Sequence, residues 1–365
     1  MITVLALLGY AACAAWCVPA LLVPLTRRGV SVHVGLAAWL TAMASALAAV
    51  AVAAQFSFRT VAADWPQLTR AVCRSVAGNA CTPEVYGSVL YQAGVIVLAA
   101  ALAFAGGLAT WRYARRVHHA RAQTRSHART ALLVGHAIAA AGVVTGPSAD
   151  SAGAAGGPVP RTAGPGAGGA VAGAGEARTV VLDDPRPAAY CVAGRPAAIV
   201  VTSGALAVLD PPQLKAVLAH EGAHLAHRHH TLATITRGLA AAFPGVPLFN
   251  RGAAEVGRLT EMAADDAAAR TTGRPALIAA LIAIATATVV PSAAFPGTGV
   301  SSTGFPGTGV PHGAMAAAAC AVPDRVERLL RPSSSARWAA FATTLTLVLT
   351  LLAAAPPALT VLLTR

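Results

Sequence analysis

Acidic residues are scarce: 14 Asp and Glu stand among 365 residues, against 27 Lys and Arg, and only 11% of the chain is charged. Soluble domains carry roughly 25% charged residues. With 56% hydrophobic content, that shortage excludes an ordinary soluble protein and places the chain in a membrane. Lysine is almost missing, Lys215 being the only one, so the net charge of +13 is carried by arginine. Aromatics make up 5% and no nucleic-acid-binding motif is present, so the basic balance is assigned to an arginine-biased composition and to positive-inside flanks. Nucleic acid is not an expected partner. A basic start is also lacking before the first apolar run, about Ile2 to Leu25. That run is too long for a signal peptide and long enough to cross about 30 Å of hydrocarbon.

After Arg27 and Arg28 comes a second apolar span, about Gly35 to Ala54, then a polar loop over 55–87 carrying Cys73 and Cys81, then a third span from Ser88 to Thr110. Residues 1–110 are therefore expected as a three-span membrane region. Arg112, Arg115, Arg116, Arg121, Arg125 and Arg129 follow within 111–144. Such a cluster beside a span marks the cytoplasmic side, which puts the amino terminus and the 55–87 loop outside. A disulfide between Cys73 and Cys81 would persist there; two unpaired thiols are the alternative.

Residues 145–177 are nearly all Gly, Ala, Pro, Ser and Thr, a linker unable to bury enough apolar surface to fold. A core is expected over 178–294, where Arg178–Leu182, Ala189–Ala193 and Ala197–Thr202 read as short strands. The run Ala276 to Val290 is too short for a span and is expected as a core helix. Residues 295–312 hold FPGTGV twice in a Gly/Pro-rich loop, and a basic segment over 313–337, with Arg325, Arg328, Arg331 and Arg337, leads into a fourth span over 338–363. With the chain ending at Arg365, no folded domain is expected beyond that span.

The chemistry gathers at His220-Glu221-Gly222-Ala223-His224, an HExxH sequence. Asp210 before Pro211 and Pro212 marks a helix start. On a helix, residues four apart share one face about 6 Å apart along the axis, so His220 and His224 can share a metal. Glu221 is placed to hold a water as general base. Lys215 and the His227–His230 crowd keep this helix out of hydrocarbon.

A catalytic zinc takes three protein ligands and leaves one position open. Two candidates compete for the third. His230 has metzincin spacing, but those helices break at a glycine where this chain has His227. On a continuing helix His230 would be rotated about 240° from His224 and miss the ion. Glu261, on a helix expected over Glu255 to Arg270 with Asp265 one turn later, fits the gluzincin arrangement and is favoured. Asp265 would accept the other ring N–H of a ligand histidine, His220 being the one expected. His230 is then a candidate oxyanion donor. Asp266 and Glu255 read as solvated, and Arg258 as a partner of Glu255 or Glu261.

The order of three spans, a domain with HEGAH and then EMAAD, and one further span resembles the BlaR/MecR-like membrane metallopeptidases. The stretch from Ala205 to His224, ALAVLDPPQLKAVLAHEGAH, and the phrase TEMAADDAAA are similar to that group and to its HtpX/CAAX-protease-like relatives. The resemblance implies a mainly α integral membrane protein of about four transmembrane helices, with a zincin-like α+β metallopeptidase domain between the third and fourth. It also implies a Zn²⁺ cofactor and a cytoplasmic protein substrate, in the best-known members a transcriptional repressor. Those sensors carry a penicillin-binding domain after the last span; none is expected here, so beta-lactam sensing is not expected either. The competing class is a non-catalytic membrane receptor or scaffold stapled by zinc. Structural zinc is normally closed by four ligands, often cysteines, which argues against it.

Overall fold

Apolar composition near the amino terminus becomes three helices long enough to cross a membrane: Ile2–Arg27, Val32–Trp65 and Tyr91–Gln123. In a computed structural model of the chain they belong to α1 (Ile2–Arg27), α2 (Val32–Val76) and α3 (Pro83–Val134). The structure describes residues 2–27, 31–76, 83–134, 136–138, 178–194, 197–289 and 322–331, with isolated positions between 347 and 361. The 145–177 linker, the FPGTGV repeats, the sulfur atoms of Cys73 and Cys81 and nearly all of the 338–363 span lie outside the described residues.

Two helices are longer than their hydrophobic runs. The loop expected over 55–87 is mostly helix, because α2 continues to Val76 and α3 starts at Pro83. Likewise the basic segment after Thr110 extends α3 to Val134. Falling hydropathy marks where hydrocarbon would end; a helix satisfies its own backbone and need not end there.

The remaining elements are β1 (His136–Ile138), β2 (Arg178–Leu182), β3 (Ala189–Val192), β4 (Ala198–Thr202), α4 (Ser203–Val208), α5 (Pro211–Ala226), α6 (His229–Ala242), α7 (Pro247–Thr272), α8 (Arg274–Val289) and α9 (Val322–Leu330). The runs expected as strands are β2, β3 and β4; β1 had no sequence signal. The four-stranded sheet has the order β1-β2-β4-β3. β4 pairs parallel with β2 and antiparallel with β3, leaving β3 at an edge. Every residue of β4 is buried, as the apolar run AIVVT requires of a central strand.

Contacts divide the chain into two units: residues 1–121, 231–263 and 331–365, and residues 122–230 and 264–330. In the first, Trp39, Met43 and Leu22 are buried with Leu248, Val256 and Leu259 of α7. A side chain at Gly252 would strike Met43 and Trp39, so glycine permits this approach. Glu255, expected to be solvated, is 4% exposed: Arg27 Nη2 donates to it at 2.8 Å and Arg258 Nε at 2.9 Å. In the second unit, Ile199 and Val201 of β4, Leu214 and Val217 of α5, and Ala280 of α8 form one cluster. Ala216, Ala268, Leu277 and Leu329 form another. Of the expected 178–294 core, residues 231–263 fall in the first unit and the rest in the second. The helix α9 joins the sheet-bearing unit. The division falls inside α7, a single unbroken helix of 26 residues.

Candidate metal centre

The motif helix α5 starts where its sequence dictates. Asp210 caps it, accepting from Gln213 N at 2.8 Å while the Gln213 side chain accepts from Asp210 N, a reciprocal capping box, and proline fills the first turn. Leu214 and Val217 anchor one face against the sheet, which fixes the rotation of the helix and so the direction of His220, three residues on.

His220 is 7% exposed, and its Nε2 lies 3.1 Å from His224 Nε2. On the far side of each ring a second group engages Nδ1. Asp265 Oδ1 is 3.0 Å from His220 Nδ1, and His229 Nδ1 is 3.1 Å from His224 Nδ1. The Asp265 carboxylate, an acceptor on His220 Nδ1, keeps the proton there and leaves that ring's Nε2 lone pair for a cation, whereas donor and acceptor in the His229–His224 contact depend on the tautomers. Glu261 stands one turn before Asp265 on α7. His220, His224 and Glu261 each offer one ligand atom, and these atoms all lie within 4.8 Å of one another.

That donor set suits zinc. Two nitrogen ligands at about 2.0–2.1 Å from a tetrahedral ion stand about 3.3 Å apart, close to the separation of the two Nε2 atoms. Two imidazoles and a carboxylate are a catalytic rather than a structural zinc set.

Asp265 is fully buried. Burial alone pushes its carboxyl up; the Arg325 fork, followed by His220, outweighs that and holds it below the usual carboxylate range. Arg325 Nε donates to Oδ2 at 2.7 Å and Nη2 to Oδ1 at 2.5 Å. Burial, then the nearby Arg228 charge, lowers His230 and favours its neutral form.

Residues 169–246 match the model of Peptidase family M48. The match holds the HExxH pair and Glu221 but stops short of Glu261, Asp265 and Arg325. A protease HtpX homolog of Acidiphilium cryptum is 41% identical over 73 residues, 20% of this chain and 25% of the relative. Homologs of the same description from Limosilactobacillus fermentum, 37% identical over 67 residues, and Ralstonia pickettii, 34% over 80, cover 22% and 28% of their own lengths. The chain thus spans about a quarter of the curated relatives it matches. No solved structure matches.

Against the sequence reading, the helix carrying the motif does not run on to His230. It ends at Ala226, with His227 as its cap and Arg228 in the left-handed region at φ 52°. The break expected only at glycine occurs at arginine. Even so, among the described residues the group that could hold a metal ion contains Glu261 and not His230. The kink instead brings His229 against His224. Sequence reasoning passed over both His229 and Arg325. The first lies in a histidine-rich stretch with no glycine to announce the turn, and the second lies in the basic segment before the fourth span, where it reads as membrane-flanking charge.

Proposed function

We propose that the chain is a membrane zinc metalloendopeptidase that hydrolyses peptide bonds of a cytoplasmic protein. The observation that carries the reading is the His220/His224/Glu261 donor group beside Glu221, with both imidazoles held from behind. His220, His224 and Glu261 would hold Zn²⁺, which when bound lowers the pKa of water towards 7 and polarises a carbonyl. Glu221 accepts the proton of the attacking water and passes it to the leaving amine. Asp265 and His229 orient the two imidazoles. Among the described strands β3, Ala189–Val192, stands at an edge of the sheet, where an extended substrate could add as a strand, the backbone supplying affinity and side-chain positions selectivity. Similarity to HtpX homologs and the three apolar helices support membrane residence. The BlaR/MecR-like order of segments supports a repressor-type substrate and a cytoplasmic face for the site.

Protein amino termini compared by mass spectrometry, in host cells carrying wild type or Glu221→Gln at matched levels, test this. Cleavages that disappear in the variant while it keeps its zinc establish the peptidase and its substrates. Unchanged termini under several envelope stresses would leave the receptor or scaffold reading instead.

A further inference from the structure

Arg325 belongs to a short helix reached only after a long Gly/Pro-rich stretch, yet it is one of the most deeply buried charges among the described residues, 6% exposed. Its guanidinium takes both oxygens of Asp265, and one of those oxygens is the neighbour of His220 Nδ1. Leu329, one turn on, is buried with Ala216, Ala268 and Leu277. Arg328 forms a second fork, to Asp266 at 2.9 and 2.6 Å, but that pair is about one-third exposed on each side and Asp266 touches no ligand histidine in the described contacts.

A buried ion pair is a poor staple. Desolvating two charges consumes most of their attraction, and an apolar pair of the same volume would dock α9 as well. What a planar, bidentate cation supplies that an apolar contact cannot is orientation: it fixes the plane of the carboxylate and keeps it charged. A fixed, charged Asp265 in turn holds the His220 ring with its proton on Nδ1 and its lone pair on Nε2.

We infer that Arg325 is a positioning residue of the metal centre: by clamping Asp265 it sets the aim of His220, so the docked α9 helix completes the site's affinity for its ion. The inference rests on the zinc reading above and extends it to a residue outside the region shared with Peptidase family M48.

The test uses the full chain in detergent micelles, with zinc affinity measured by chelator competition and the Co²⁺-substituted visible spectrum recorded in parallel. Partners behind a metal-ligating histidine are worth about 10- to 100-fold in affinity, so Arg325→Met should weaken zinc binding about tenfold or more and change the cobalt spectrum. Arg325→Lys, which keeps the charge but loses the fork, should fall between. Arg328→Met removes the neighbouring exposed fork and should stay within about twofold of wild type. An Arg325→Met protein with wild-type affinity and spectrum overturns the inference. If that variant loses its helical circular dichroism, Arg325→Lys decides, and a wild-type affinity there overturns it equally. A wild-type chain that binds no zinc overturns the zinc reading and this inference together, whereas a zinc-binding wild type matched by Arg325→Met overturns the inference alone.

Discussion

Asp265 serves two neighbours with a single carboxylate, and its depressed pKa has a measurable consequence. A group whose folded pKa lies below its unfolded value of about 3.9 contributes stability that is present above that value and lost as pH falls through the folded one. In metal-free protein, Asp265→Asn should therefore melt well below wild type at pH 7, and the gap should close below about pH 4. A gap that persists into acid would mean the ionised carboxylate is not what stabilises the fold there. For the third ligand, Glu261→Ala should abolish zinc retention, measured by metal analysis of the purified chain, while His230→Ala should not; the reverse result would move the third ligand to α6. The positions legible in the sequence were those whose spacing lies within one helix: His220 with His224, and Glu261 with Asp265, four apart in each case. His229 and Arg325 were illegible because their partners are set by a kink and by a 60-residue separation, neither of which leaves a periodic trace.

At the scale of elements, boundaries were legible where a chemical stop exists. The Asp-Pro-Pro start of α5 is such a signal; its end is not, since Arg228 adopts a conformation that costs an ordinary L-residue about 1–2 kcal/mol. Arg228→Val should worsen that strain and lower the melting temperature, while Arg228→Gly should leave it unchanged or raise it, as followed by thermal melts of the two variants. The strands were read correctly because Asp-Pro and Gly-Arg-Pro turns isolate short β-branched runs. The excess lengths of α2 and α3 were missed because hydropathy reports the solvent and not the backbone.

For the whole molecule, the apolar composition made the membrane helices legible, but not how α7 packs against them. That packing depends on one missing side chain. Gly252→Leu should overpack the Trp39–Met43 contact and cost about 1–3 kcal/mol, and Met43→Ala in the same chain should restore part of the loss by opening the space again. A thermal melt of the single and double variants gives the coupling directly, and additivity would show that Gly252 does not face Met43.

The two supports of His220 and His224 also differ in when they exist. His229 follows His224 by five residues, so that contact is available as soon as the α5–α6 turn leaves the ribosome. Arg325 emerges 60 residues after Asp265. At about 5–20 residues per second, the nascent chain spends about 3–12 s with Asp265 made and Arg325 still unwritten. On the proposed zinc reading, a site whose support arrives that late holds its ion more weakly while the chain is still being made, when unfolded chain lies nearest to hand.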